Sequence, residues 1–145
     1  MCCLLKLKMV VVSFCLLLLG SSAFGGDVTT VYFIPFEVET YAPVTPATII
    51  SQAWEKWTIS SEPETSRLIN LLNLGNQADF DEKRVRGLVI SDNQTYFIDS
   101  NGVVIRKGKL YMFKEKGELG ITIEKTAFVE FRDSLRADQR QMLRK

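Results

Sequence analysis

Residues 28–40 (VTTVYFIPFEVET) carry the first regular pattern of hydrophobic and polar positions. β-Branched and aromatic residues dominate this stretch and alternate between two faces, as side chains do along a strand. One face would carry Tyr32, Ile34, Phe36 and Val38, and the other would carry Val31 and Phe33. Because proline donates no backbone hydrogen bond, we expect the strand to lie at a sheet edge, or to bulge, from Pro35 onward.

Helical signals follow this strand. Thr45 and Pro46 are typical of a helix start, with threonine at the N-cap and proline in the first turn. The apolar stripe of this short helix would be Ile49, Ile50 and Ala53. Residues 54–59 fit a helix or a strand, and the pattern leaves both open.

A second helix is predicted over residues 62–74. Ser61 and Glu64 match a capping box, in which each side chain bonds the backbone N–H of the other residue. Its apolar positions would be Leu68, Leu71 and Leu72, with Ile69 beside them. Gly75 is a natural stop, and residues 76–83 (NQADFDEK) are predicted to form a polar, acidic loop.

Turn signals at short intervals predict an antiparallel meander in the second half of the chain. Strands are expected at residues 84–91, 95–99, 103–106 and 110–113. The turns between them would be Asp92-Asn93, Asn101-Gly102 and Lys107-Gly108. The Asn-Gly pair is the strongest short hairpin signal among these.

A last helix is predicted after the meander. The residues Ile123, Ala127, Phe128, Phe131 and Leu135 follow one another at the intervals of a single helix stripe. Asp138 is expected to cap a separate last turn that carries Met142 and Leu143. One block of strands with helices before and after it predicts an α+β fold. We expect a small antiparallel sheet of about four to five strands, two to three helices packed on one face, and no disulfides.

The N-terminal 25 residues have a different composition. Lys6 and Lys8 precede an uncharged apolar run at residues 9–19, and small residues follow it. That order is typical of a secretory signal peptide, and the run is well short of the roughly 20 residues that span a bilayer. With cleavage after Ala23 or Gly25, we expect a periplasmic or extracellular protein. Residues 1–25 would be its removed signal and residues 27–145 a single α+β domain; an uncleaved anchor is the alternative.

The exported domain would lack several reactive groups. The sequence has no histidine, and all three cysteines, Cys2, Cys3 and Cys15, lie in the predicted signal peptide. Thiol nucleophiles, cysteine- or histidine-ligated metals and serine-histidine-aspartate triads are therefore excluded from that domain. We expect no cofactor and no metal site. Packing alone would hold the fold, and roughly 120 residues suffice for this because such a chain buries about two thirds of its unfolded surface.

The charges are unevenly distributed, although the whole chain has a net charge of only +1. Residues 27–82 hold nine acidic and two basic side chains, whereas residues 83–145 hold eight acidic and fourteen basic ones. Either the two halves pair their charges across one domain, or a charged face steers a partner of opposite charge. Nucleic acid is a poor fit, because signal removal would leave a net charge of −1.

Carboxylates are the abundant acid/base groups that remain, and Asp79, Asp81 and Glu82 form their densest cluster. Two carboxylates that face each other across a cleft can hydrolyse a glycosidic bond. Beside Lys83 and Arg84, however, the three are more simply interpreted as solvated charge. We therefore assign no catalytic residue.

The stretch from Asp99 to Gly102 begins like a calcium-binding loop, with oxygen ligands at its first and third positions. Its twelfth position, where such loops carry glutamate, is Leu110. We interpret the stretch as a hairpin turn.

Aromatic and basic side chains are the candidates for partner binding. Trp54 and Trp57 lie three residues apart, with core packing as the default and an interface anchor as the alternative, since tryptophan is common in interface hot spots. The basic candidates would fall on neighbouring strands and could form one basic sheet face or edge: Arg84, Arg86, Arg106, Lys107 and Lys109. The alternative is a solvated face whose charges keep the sheet edge from pairing with other chains.

These features predict a small exported binding protein without enzymatic activity. Its partner would be another exported protein, as for an inhibitor or an immunity protein, an interpretation that rests partly on fold-level analogy. The alternative is a carboxylate-based hydrolase that acts on a cell-envelope polymer. After signal cleavage no transmembrane span is expected, and the oligomeric state is left open.

Overall fold

The computed structural model of this chain describes residues 28–92, 94–108 and 117–142. Its elements are β1 (Thr29–Phe33), α1 (Ile49–Gln52), β2 (Glu55–Ile59), α2 (Glu62–Leu72), β3 (Gln77–Asp79), β4 (Val85–Ser91), β5 (Gln94–Asp99), β6 (Val103–Gly108), β7 (Leu119–Thr122) and α3 (Lys125–Met142). The predicted α+β class is confirmed, although seven strands exceed the expected four to five. The predicted signal peptide and the predicted strand at 110–113 lie outside the described residues.

All seven strands belong to one antiparallel sheet in the order β2-β1-β4-β5-β6-β7-β3. Strands β4, β5 and β6 are hairpin neighbours, as the turn signals predicted. Strands β2 and β3, which follow each other in the chain, form the two opposite edges of the sheet. The connection that contains α2 therefore crosses the full width of the sheet.

Strand β1 lies inside the sheet, between β2 and β4. It ends at Phe33, two residues before Pro35, so the predicted continuation to residue 40 is wrong. The missing N–H of Pro35 is the physical reason that fits this early end. At the other end of the meander, Lys107 and Gly108 continue β6 instead of turning, because β5 still pairs with them through Thr95 and Gln94.

Strands β3 and β7 pair with each other, and the sequence pattern predicted neither. Strand β3 has three residues that lie mostly exposed at an edge, so it lacks the alternation that marks a half-buried strand. Strand β7 contains Gly120, where an added Cβ would lie 2.4 Å from the carbonyl oxygen of Val104. Glycine therefore permits the close approach of β7 to β6 rather than marking a loop.

The two longer helices cover one side of the sheet, here called the helix face. Its buried side chains include Val31, Phe33, Trp57, Leu68, Leu72, Phe128, Phe131 and Leu135. The opposite side, the far face, is covered by most of residues 34–54, which we call the covering connection; Phe36 in this segment packs on the helix face instead. The buried residues of the far face include Ile34, Val44, Ile49, Val85, Leu88 and Phe97. The prediction that the helices share one face is thus wrong for α1, since Ile49 packs on the far face.

The helices differ from the predictions in three places. Helix α1 is a single turn that begins at Ile49 after Thr48, not at Thr45 and Pro46. Residues 55–59, for which the pattern left helix and strand open, form strand β2. Helix α2 begins at Glu62 as predicted, but the Ser61 side chain makes no capping hydrogen bond. Two acidic residues in the first turn interact favourably with the helix dipole instead. Helix α3 runs through Asp138 to Met142 because no glycine or proline interrupts it, and Leu143 lies outside the described residues.

Glu55 connects strand β2 to helix α3. Its Oε2 accepts a hydrogen bond from Trp57 Nε1 at 3.2 Å and lies 2.7 Å from a guanidinium nitrogen of Arg136. Its Oε1 lies 3.7 Å from Arg132. A carboxylate of the acidic first half thus pairs with two arginines of the basic second half, as the charge-pairing interpretation requires.

A Glu55→Gln variant is expected to lose about 1 kcal/mol of the free energy of unfolding, because the pair is only partly exposed to solvent. Urea unfolding followed by circular dichroism measures this loss. Glu130→Gln is the matched control, since it removes the same charge from an exposed position on α3. Equal loss in both variants would show that the Glu55 contacts stabilise nothing beyond a surface charge.

Candidate functional site

Three basic side chains beside and within the start of β4 line one cavity of about 390 Å³: Lys83, Arg84 and Arg86. The facing wall is formed by residues 39–43 of the covering connection. Tyr41 in that wall is fully exposed, and Glu39 supplies the one carboxylate among the lining residues. The cavity therefore has three cationic groups against a single acidic group.

Arg86 is 5% exposed, although it is charged. Its Nη1 donates to the carbonyl oxygen of Val85 at 3.1 Å, and its Nη2 donates to that of Val38 at 3.3 Å. Its Nε is buried and has no hydrogen-bond partner among the described residues, and no carboxylate there forms an ion pair with it. Burial lowers the pKa of the guanidinium below its usual value, and the charge of Arg84 lowers this pKa further.

A β-bulge places Arg86 in this position. The register between β4 and β5 shifts between Val85 and Gly87, so Arg86 lies at the irregularity. Bulges re-aim side chains in this way. The covering connection is tied to the same point, because Ile34 donates its N–H to the Arg86 carbonyl and Val44 bridges Arg84.

The buried carboxylate of Asp99 organises the loop that precedes β4. Its Oδ1 accepts the backbone N–H groups of Asn101 at 2.8 Å and Val103 at 2.9 Å, which confirms the hairpin interpretation of residues 99–102. Its Oδ2 accepts the N–H of Asp81 at 2.9 Å, and Asp81 Oδ1 in turn accepts the N–H of Lys83 at 3.0 Å. Asp99 thereby positions the backbone that carries the cationic side chains.

The arrangement is suited to holding an anion, because guanidinium and ammonium groups recognise oxyanions through charge-assisted hydrogen bonds. The described residues contain no group of three or more acidic side chains placed to hold a metal ion. No protein-family model, curated protein or solved structure matches this chain. None of the helices within the described ranges is long and apolar enough to cross a membrane.

The predicted single basic face does not form. Arg106 and Lys107 are consecutive in β6, so they face opposite sides of the sheet. They pair with Tyr96 and Thr95 in β5, whereas Arg86 lies beside the other end of that strand. Lys107 also forms an ion pair with Glu118. Lys109 lies outside the described residues.

The structure separates the two tryptophans. Trp57 is 9% exposed and packs against the rings of Phe33 and Phe128, so it lies in the core, the default interpretation of its sequence position. Trp54 is 66% exposed and directly precedes β2. Three exposed apolar side chains belong to the covering connection: Tyr41, Ile50 and Trp54.

The carboxylate cluster of residues 79–82 has structural contacts. Asp79 pairs with Leu119 in the edge ladder of β3 and β7. Asp81 accepts the N–H of Lys83, as described above. These contacts do not place any two of the carboxylates of Asp79, Asp81 and Glu82 opposite each other across a cleft.

A larger groove of about 880 Å³ lies between α2 and residues 122–127. Leu71, Leu74 and Ile123 supply much of its apolar lining. Arg67 on its wall is held over the ring of Phe131, 5.5 Å from the ring centroid. None of the candidate residues that the sequence indicated is among the residues that line this groove.

Proposed function

We propose that this chain is a small exported protein without enzymatic activity that binds another exported protein, as an inhibitor or an immunity protein does. The N-terminal sequence supports export. The observation that supports binding is the set of exposed aromatic and aliphatic side chains on the covering connection, with Trp54 as the best anchor. Tryptophan and tyrosine are enriched in interface hot spots.

The placement of these side chains favours one contact surface. Ile90, which is 36% exposed, follows Leu88 on the far face of β4, the same side that the covering connection occupies. The covering connection and the far side of β4 together carry four of the seven large exposed apolar residues: Tyr41, Ile50, Trp54 and Ile90. Apolar side chains gathered on one side of a small protein mark a contact surface more strongly than scattered ones do.

Affinity capture tests the proposal. The full chain with a C-terminal tag is used as bait on cell-envelope and secreted fractions, and stoichiometric partners are identified by mass spectrometry. We expect one protein that stays bound at high salt, because apolar contacts are not screened. Trp54→Ala is expected to weaken its binding at least about tenfold, the effect of losing a hot-spot anchor.

Leu119→Ala is the matched control, because Leu119 is 58% exposed and lies in β7, next to the opposite edge of the sheet. This variant should bind as the unmodified chain does. The proposal fails if a folded, exported bait retains no protein at high salt, or if Trp54→Ala and Leu119→Ala bind alike. The intact mass of the recovered bait shows whether it was processed and so separates a failure of export from a failure of binding.

A further inference from the structure

We propose that the cavity lined by Lys83, Arg84 and Arg86 is a binding site for a doubly charged oxyanion, a phosphate group or a phosphate monoester. This site does not require the protein partner proposed above, although Tyr41 belongs both to its wall and to the proposed contact surface. It would take a small ligand in the cavity rather than a protein on the exposed apolar side chains.

The charge of the cavity favours a dianion. Three cationic side chains and the single carboxylate of Glu39 leave a local charge of about +2. Lys83 and Arg84 are exposed and can steer an anion towards the cavity. Arg86 is covered and supplies the charge that solvent screens least.

Arg86 itself requires a counterion. A buried charge is costly unless it is paired, and the acceptors of Arg86 are two neutral backbone carbonyl groups. Its buried Nε has no partner among the described residues. Because Arg86 is one of the residues that line the cavity, an anion held there would lie near this guanidinium and offset its charge.

The walls of the cavity are fixed before any ligand arrives. The bridge between Val44 and Arg84 holds the covering connection against β4. Asp99 accepts the N–H of Asp81, and Asp81 accepts the N–H of Lys83, so these hydrogen bonds fix the loop that carries Lys83. Preorganised donors bind more tightly because little conformational entropy is lost on binding. The volume of about 390 Å³ lies within the range of small-ligand sites and leaves room for the group that a phosphate ester carries.

The test is an NMR titration of the full-chain protein at constant ionic strength and at a pH of about 8, where both inorganic phosphate and a phosphate monoester are mostly doubly charged. The reporter is the Nε–H signal of Arg86, which burial protects from rapid exchange. The probes are inorganic phosphate, glycerol 3-phosphate and acetate. We expect saturable shifts with the two phosphates and binding at least about tenfold weaker with the monoanion acetate.

Charge variants locate the site. Lys83→Gln and Arg84→Gln are each expected to weaken phosphate binding about two- to fivefold. Glu39→Gln should tighten it, because the change removes the carboxylate that repels the anion. Arg106→Gln is the matched control: it removes the same positive charge from an exposed position in β6 and should leave the affinity unchanged. Arg86→Met should abolish binding. If this variant does not fold, the exposed substitutions Lys83→Gln and Arg84→Gln still test the proposal.

The two phosphates distinguish the source of the ligand. Tighter binding of glycerol 3-phosphate indicates an esterified phosphate, and equal or weaker binding indicates the free anion; either result supports the site. The proposal is overturned if the shifts do not saturate, if acetate binds as tightly as phosphate, or if Arg106→Gln weakens binding as much as Arg84→Gln does. A failure of partner capture leaves these outcomes unaffected.

Discussion

Replacing Asp99 with alanine is expected to lower the free energy of unfolding by about 3–5 kcal/mol. Its carboxylate accepts three backbone N–H groups, those of Asp81, Asn101 and Val103. Hydrogen bonds to a charged acceptor stabilise more than neutral ones, and the N–H of Val103 is buried and would lose its acceptor. Urea unfolding measures the loss.

A second variant divides this effect between the hairpin and the loop. Asp99→Asn retains one side-chain oxygen for the N–H groups of Asn101 and Val103, but it points an amide nitrogen at the N–H of Asp81. We expect about half of the alanine loss, and faster hydrogen exchange confined to residues 80–84. The exposed Asp138→Ala serves as the control. A loss at Asp99 no greater than at Asp138 would show that the carboxylate does not organise the loop.

Phe128→Ala is expected to lose about 3–5 kcal/mol, because it opens a cavity in the helix face. Phe128 is fully buried, and its ring centroid lies 5.2 Å from that of Phe33 and 6.0 Å from that of Trp57. Phe36 belongs to the same aromatic group but is only partly buried. Phe36→Ala should therefore lose markedly less in the same urea experiment, and equal losses would contradict this packing.

The sequence predicts the elements whose burial is regular. Strands β4, β5 and β6 are short, mostly buried runs, and turn residues separate β4 from β5 and β5 from β6. Helices α2 and α3 show an apolar stripe at helical spacing, so local patterns suffice for these elements. Strand β3 has no such pattern because it lies at an edge with little buried surface. Its pairing with β7 depends on contacts between residues some 40 positions apart, such as Gln77 and Ile121, which no local signal encodes.

The candidate site was predictable only in part. Arg84 and Arg86 are basic residues at the start of a predicted strand, and the structure brings them together. The bulge between Val85 and Gly87, at which Arg86 lies, depends on pairing with β5, and so it was not visible in the sequence. The role of Asp99 was missed for a related reason. Its position before an Asn-Gly turn signals the local hairpin, while its contact with Asp81 spans 18 residues.

The connection through α2 couples the stability of the two edge strands of the sheet, β2 and β3. The edge strands β2 and β3 are about 29 Å apart, which is six spacings of about 4.8 Å. The connection that contains α2 joins them across the helix face. Leu68 and Leu72 of α2 anchor this connection in the core of the helix face. Local unfolding of α2 is therefore expected to free both β2 and β3, whereas β4, β5 and β6 remain linked by their own hairpins. We therefore expect local unfolding of one edge strand to destabilise the other edge strand as well.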